Sequence, residues 1–155
     1  MDAVDRSILD ALRANARATY AELAREVGLS APAVHERVGK LEAQGIITGY
    51  HAAVAPESLG YSMSALVGVF LSDTADEDAV AVGLAGLSAV EDCWFVAGEE
   101  SFVVKVRVPD IAGLEDAIRA VTKIEGVART RSTVVLSTRF EGRVQPAGRP
   151  SPKKR

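Results

Sequence analysis

Sulfur is scarce in this chain: its 155 residues include one cysteine, Cys93, and two methionines. One thiol cannot close an internal disulfide. His35 and His51 are the only imidazoles, too few to build a thiolate or histidine metal cluster, so no metal and no other cofactor is expected. Cys93 sits beside Trp94 and reads as a buried strand residue, the usual place of a free cysteine. Long apolar runs are also missing. None approaches the roughly 18 residues that cross a bilayer, and the start "MDAVDRSILDALRANAR" mixes Asp and Arg where a secretory leader would be apolar. The expected setting is the cytoplasm, away from membranes. No Ser/His/Asp set, Walker loop or dinucleotide fingerprint appears, so an enzyme is not expected. At 48% hydrophobic residues, the length allows one or two small domains with ordinary cores.

Charge is present but uneven. Residues 1–50 hold 6 Lys/Arg and 7 Asp/Glu, residues 51–141 hold 7 and 14, and residues 142–155 hold 5 and none. The acidic middle should repel polyanions, which leaves any nucleic-acid contact to the first fifty residues or the tail. The tail, "GRVQPAGRPSPKKR", has three prolines and no apolar periodicity. It reads as disordered, either a solvated end or a weak phosphate contact.

Val4, Ile8 and Leu12 recur every four residues and line one face of a first helix ending near residues 14–17. Thr19 and Glu22 stand three apart, the spacing of a capping box, and open a second helix with Tyr20, Leu23, Ala24 and Val27 as its apolar face. Gly28 can take the left-handed conformation that ends a helix, Ser30 can cap the next, and Pro32 is tolerated in its first turn. In that third helix Val34, Val38 and Leu41 form the packing stripe, and Pro32, His35, Glu36, Gly39 and Lys40 project roughly opposite. Gly45 closes it. A helix held by a narrow stripe and presenting small residues at its exposed start has the shape of a DNA-reading helix, although helical hairpins also occur in proteins that never touch DNA. Gly39 costs about 1 kcal/mol relative to alanine in an exposed helix, which fits a close approach to the backbone there as well as a tolerant surface site.

The second half reads as strand, helix, strand, strand, helix, strand. Strands are expected at "SMSALVGVFLS", at "VEDCWFVAG" ending at Gly98, at "SFVVKVRV" and at "VARTRSTVVLSTRF". Along "SFVVKVRV", Phe102, Val104, Val106 and Val108 alternate with Lys105 and Arg107, so one face is expected to be buried. Val80, Leu84 and Leu87 mark the first helix face; Ile111, Leu114, Ile118 and Val121 mark the second, capped by Asp110 and stopped by Gly126. The fold class expected is α+β: a three-helix, winged helix-turn-helix domain followed by a ferredoxin-like βαββαβ sandwich. The domains divide as 1–50, a linker strand over 51–61, 62–141, and the tail 142–155. "SALVGVFL" and "STVVL" look apolar on both sides, so the sheet's bare face should need a cover, most simply a second subunit.

Residues 9–60 closely resemble the N-terminal half of the Lrp/AsnC, or feast/famine, regulators: "NAR" before the second helix, "ELA" within it, "GLS" at the turn, "ERV.KLE..GII.GY" beyond, then "LG". The resemblance implies an amino-acid-responsive transcriptional regulator that binds double-stranded DNA. Its DNA-facing set would be Ser30, Ala31, Pro32, His35, Glu36, Arg37 and Lys40. Lys40 is the better phosphate candidate. His35 and Glu36 are candidates for base edges, Glu36 by accepting from a cytosine amino group, with a merely solvated role open for His35. Arg37, flanking the packed stripe, either braces the domain or reaches a phosphate. Gly39 stands where the family often has a further basic residue, which weakens the expected phosphate grip.

The run "VAGEESF", opening at Val96, resembles the family's effector loop: Gly98 and Phe102 fit, but Ser101 replaces the usual aspartate. The resemblance implies that Gly98 opens its backbone to a bound amino acid, with Glu99 or Glu100 standing in for the missing charge; a plain hairpin turn is the other reading of Gly98. As a catalytic couple, Glu99 and Glu100 would be poor, because neighbours on an extended chain point to opposite sides. Thr130 and Ser132 match a pair of threonines common in the family, and Ser132 would line the pocket at a subunit junction. Family members form sheet-to-sheet homodimers, often assembled to octamers, so effector binding would alter assembly and promoter binding. A dimer would hold its reading helices about one helical turn, roughly 34 Å, apart. Two rivals stand beside this: an amino-acid sensor acting on a protein partner without DNA, and an enzyme similar to sirohaem decarboxylases. His35 and His51 lie in the DNA-reading half, which argues against the second.

Overall fold

The computed structural model describes residues 1–143. The basic tail expected over 142–155 lies, from residue 144 onward, outside the described residues. Two compact units divide the chain, Met1–Ala53 with the segment that begins at Phe140, and Val54–Arg139.

The first unit is helical because its caps and stripes are local and mutually consistent. Helix α1 spans Ala3–Ala14. Its N-cap Asp2 accepts from the Asp5 backbone N–H at 2.8 Å, and the Asp5 carboxylate accepts from the Asp2 N–H at 2.7 Å. Helix α2, Tyr20–Val27, begins with the Thr19–Glu22 capping box and ends at Gly28, φ 71°. Helix α3, Ala31–Ala43, starts from Ser30, whose hydroxyl accepts from the Ala33 N–H. Gly45 follows the helix at φ 67°. Ile8, Leu12, Leu23, Ala24, Val34 and Val38 bury one another in a single cluster. Each Val, Leu or Ile among them contributes roughly 1.5–3 kcal/mol through burial.

No strand forms among residues 1–62, so the expected wing and the linker strand over 51–61 are both corrected. Residues 51–55 lack regular structure, and Pro56–Leu59 form one 3-10 turn. An extended segment becomes a strand only by pairing, and residues 51–61 enter no sheet among the described residues.

The second unit follows the βαββαβ order: β1 Met63–Leu71, α4 Glu77–Ala85, β2 Val90–Phe95, β3 Phe102–Val108, α5 Ile111–Thr122 and β4 Val127–Val135. The strands lie in the order β2-β3-β1-β4, antiparallel throughout, which is the ferredoxin-like arrangement. Ala65, Val67, Val69, Phe102, Val104 and Val106 pack with Val80, Leu84, Leu114, Ala117 and Val121 to make the core. Strand β2 stops at Phe95, three residues short of Gly98, because residues 97–101 bend. Ile111, expected on the α5 stripe, is exposed at the helix's first position.

The register sorts side chains between faces. Phe95, Phe102, Val69 and Thr130 form one cross-strand row, and Cys93, Val104, Val67 and Ser132 another, both on the helix-covered side. Between them lies the row Trp94, Val103, Gly68, Arg131; after them comes Asp92, Lys105, Leu66, Thr133, both on the open side. Two expectations fail here. Cys93 is exposed, on the edge strand β2. The open face is not apolar: Leu66 and Trp94 are its exposed large apolar groups, set among Arg129, Arg131, Lys105, Arg107 and Glu91. Lys105 is itself buried, at 8% exposure, by the central position of β3.

Candidate functional site

Helix α3 presents Pro32, His35, Glu36, Gly39 and Lys40 to solvent and buries Val34, Val38 and Leu41, as its periodicity requires. His35 is oriented by Tyr20 of α2, whose ring meets the imidazole edge-to-face with centroids 4.9 Å apart. Tyr20 thus faces outward rather than joining the core. The Lys40 ammonium donates to Glu36 Oε1 at 2.6 Å, a one-turn ion pair in which both side chains remain exposed. The hydrogen bond from Lys40 holds the Glu36 carboxyl below its ordinary value, so it stays ionised near neutrality.

Arg37 is paired inside the helical unit. Its Nη1 lies 2.7 Å from Asp2 Oδ2 and 2.6 Å from Asp5 Oδ1, tying α3 to the capped start of α1. The Asp5 N–H and then the Arg37 guanidinium lower the Asp2 carboxyl to about 2. Sequence reasoning missed Asp2 and Asp5 as partners of α3, although the Asp-x-x-Asp spacing of a capping box was there to read. Tyr50 donates to Glu42 at 2.9 Å, and partial burial together with that bond raises its phenol to about 12.

The loop between β2 and β3 is closed by backbone bonds. The Val96 N–H donates to the Ser101 carbonyl at 2.9 Å, and the Ser101 N–H to the Val69 carbonyl at 2.9 Å. Gly98 is open: a side chain there would meet only Glu100 Oε2, at 4.0 Å. Glu99 and Glu100 do not diverge as on an extended chain. Both reach Arg131, Glu100 through a hydrogen bond and Glu99 at 3.7 Å. Glu100 lies across Gly68, where a Cβ would come within 2.7 Å of its Cγ. Beside it the Arg129 guanidinium stacks 3.5 Å from the Phe70 ring centroid.

Not all the expected loop residues converge. Val96, Gly98, Glu99, Glu100 and Ser101 share the turn, while Phe102 is core, packed edge-on against Phe95 at 5.3 Å. Ser132 faces the helix side of β4, opposite to the face on which Arg131 meets Glu100. Arg131 and Gly68 were missed because their meeting with the loop depends on strand register, which no local spacing encodes.

The AsnC-type helix-turn-helix domain matches residues 1–42, and the Lrp/AsnC ligand binding domain matches residues 64–145. The HTH-type transcriptional regulator LrpA of Mycobacterium tuberculosis is 41% identical over 143 residues, covering 92% of this chain and 95% of that protein. The chain belongs to the Lrp/AsnC family. The regulatory protein AsnC of Escherichia coli is 33% identical over 94% of this chain and 97% of its own length. Among solved structures, the feast or famine regulatory protein of M. tuberculosis complexed with L-methionine superposes with a TM-score of 0.88 at 40% identity, covering 94% of this chain and 98% of that one. E. coli AsnC gives 0.84 at 33% identity over 93% and 97%. This Lrp/AsnC member is a DNA-binding transcriptional regulator, and the relatives are named as regulators rather than enzymes. No helix among the described residues is long and apolar enough to cross a membrane.

Proposed function

We propose that this regulator responds to an amino acid bound near the β2–β3 turn at a junction between subunits, and that binding shifts the association of copies and hence promoter occupancy. The observation that carries the reading is the juxtaposition of an open Gly98 with Glu99, Glu100 and Arg131, carboxylates and a guanidinium of the two signs a zwitterion requires. The L-methionine held by the M. tuberculosis relative supports the ligand class. A ligand that binds one assembly better than another moves the equilibrium by that difference in affinity.

The second subunit is the cover for the open sheet face. Exposed Trp94 and Leu66 supply the apolar part of that contact, less than the sequence led us to expect, and the surrounding charges supply its specificity. The homodimer in turn builds a higher assembly, an octamer in our reading, and works on the chromosome in the cytoplasm. The double-stranded DNA contact is assigned to Ser30, Ala31, Pro32, His35, Glu36 and Lys40, and Arg37 serves it from behind.

Gly98→Asp tests the pocket. The position has room for the side chain, so the fold should persist while the added charge fills the turn. Amino acids that raise the melting temperature of the wild type should no longer do so, whereas DNA affinity stays within about twofold. An unchanged ligand response would put the pocket elsewhere. Sedimentation as a single chain at micromolar concentration would remove the subunit junction. Failure to retard any duplex at low salt would favour a sensor that acts on a protein partner.

A further inference from the structure

Helix α3 carries two cations, Arg37 and Lys40, and each is already engaged by carboxylates: Arg37 by Asp2 and Asp5, Lys40 by Glu36. The face assigned to DNA therefore offers no uncommitted positive charge of its own. It does offer a carboxylate, and a carboxylate is an odd thing to bring to a polyanion. Phosphates and most atoms on the major-groove edge are acceptors, which repel it; only the amino groups of cytosine and adenine donate there.

We infer that the Glu36–Lys40 pair is a sequence-discriminating gate on the reading helix. This rests on the DNA-reading role of α3. The case that discriminates is the one in which Lys40 swings out to a phosphate and its ammonium leaves Glu36, one turn away on the same helix. The carboxylate is then stranded in the groove unless an amino group takes the place of the ammonium. Opposite a cytosine or adenine amino group the exchange is balanced: Lys40 trades one anion for another, and Glu36 trades one donor for another. Elsewhere the same movement leaves an unpaired negative charge among acceptors. Because both side chains are exposed, the pair itself is weak and opens easily. Discrimination comes from the charge left behind, not from the strength of the pair. Arg37 does not take the place of the ammonium, because its guanidinium is bonded to Asp2 and Asp5 at the start of α1 and acts on Glu36 only through space.

The test uses the full-length protein as wild type, Glu36→Gln, Lys40→Gln and the double variant. Each is titrated against a random-sequence duplex pool and against duplexes enriched from that pool by the wild type. Glu36→Gln should tighten binding to the random pool about three- to tenfold and steepen its salt dependence by about one counterion per subunit, because Lys40 is freed. Binding to the enriched duplexes should improve by less than twofold, so the ratio between the two falls. Lys40→Gln should weaken both substrates by a similar factor, and the double variant should gain nothing over it on the random pool. Enriched duplexes should hold cytosine or adenine at one fixed position per half-site, a preference lost when selection is repeated with Glu36→Gln. Equal shifts on both substrates, or no shift, would overturn the gate, as would an unchanged base preference. Melting temperatures within about 2 °C of wild type separate these effects from folding. If the wild type retards neither substrate at low salt, the DNA-reading role fails and the gate with it.

Discussion

The helical unit and the Glu91 cluster of the sheet unit handle charge in opposite ways. In the first, Arg37, Asp2, Glu36 and Lys40 pair at helix tips and along one exposed face, where water already screens them. In the second, one carboxylate, Glu91, sits 2.6 Å from the buried Lys105 ammonium and 3.0 Å from Arg107 Nε. Burial alone would raise the Glu91 carboxyl, but the hydrogen bonds from Lys105 and Arg107 outweigh it and hold it low. Exposed pairs can exchange partners at little cost, which suits a surface that must meet a ligand. Buried pairs cannot, because removing one member strands the other away from water.

That contrast can be broken at three points. Glu91→Leu should have the largest effect, costing the sheet unit about 1–3 kcal/mol in denaturant unfolding, because Lys105, only 10% exposed, and Arg107 both lose the Glu91 carboxylate; the solvent access of Glu91 itself keeps the loss below that of a fully buried pair. A cost of a few tenths would mean that the two units do not differ. Thr19→Ala removes the hydroxyl that accepts from the Glu22 N–H and should cost about 1 kcal/mol, seen as a lower midpoint without a changed slope. The smallest effect is acid-induced. The Asp2 carboxyl is lowered in the folded state, so its contribution is present above the unfolded value of 3.8 and is lost as pH falls toward about 2. Circular dichroism across that window should show Asp2→Asn flattening part of the wild-type acid transition. An unaltered transition would mean that the Arg37 brace carries no linkage.

The helices could be read from sequence because their signals are local. Thr19 with Glu22, Gly28, and the stripe of Val34, Val38 and Leu41 each act within a turn or two of chain. The strands were legible as elements but not as faces. Cys93 and Lys105 exchange the environments that their residue types predict, one exposed on edge strand β2 and the other buried on central strand β3. Alternation along a strand cannot tell an edge from a centre. Of the candidate site, the outward face of α3 and the turn at Gly98 were visible. The ties from Arg37 to Asp2 and from Glu100 to Arg131 were not, since each joins residues more than thirty positions apart.

Gly68 sits where strand β1 passes beneath the turn, and its bare α-carbon makes a notch in which the Glu100 side chain rests. The middle of a strand and the tip of a distant hairpin are therefore not free to vary separately. Any bulkier residue at that notch evicts the acid, and the guanidinium across from it is left leaning on Glu99, 3.7 Å away.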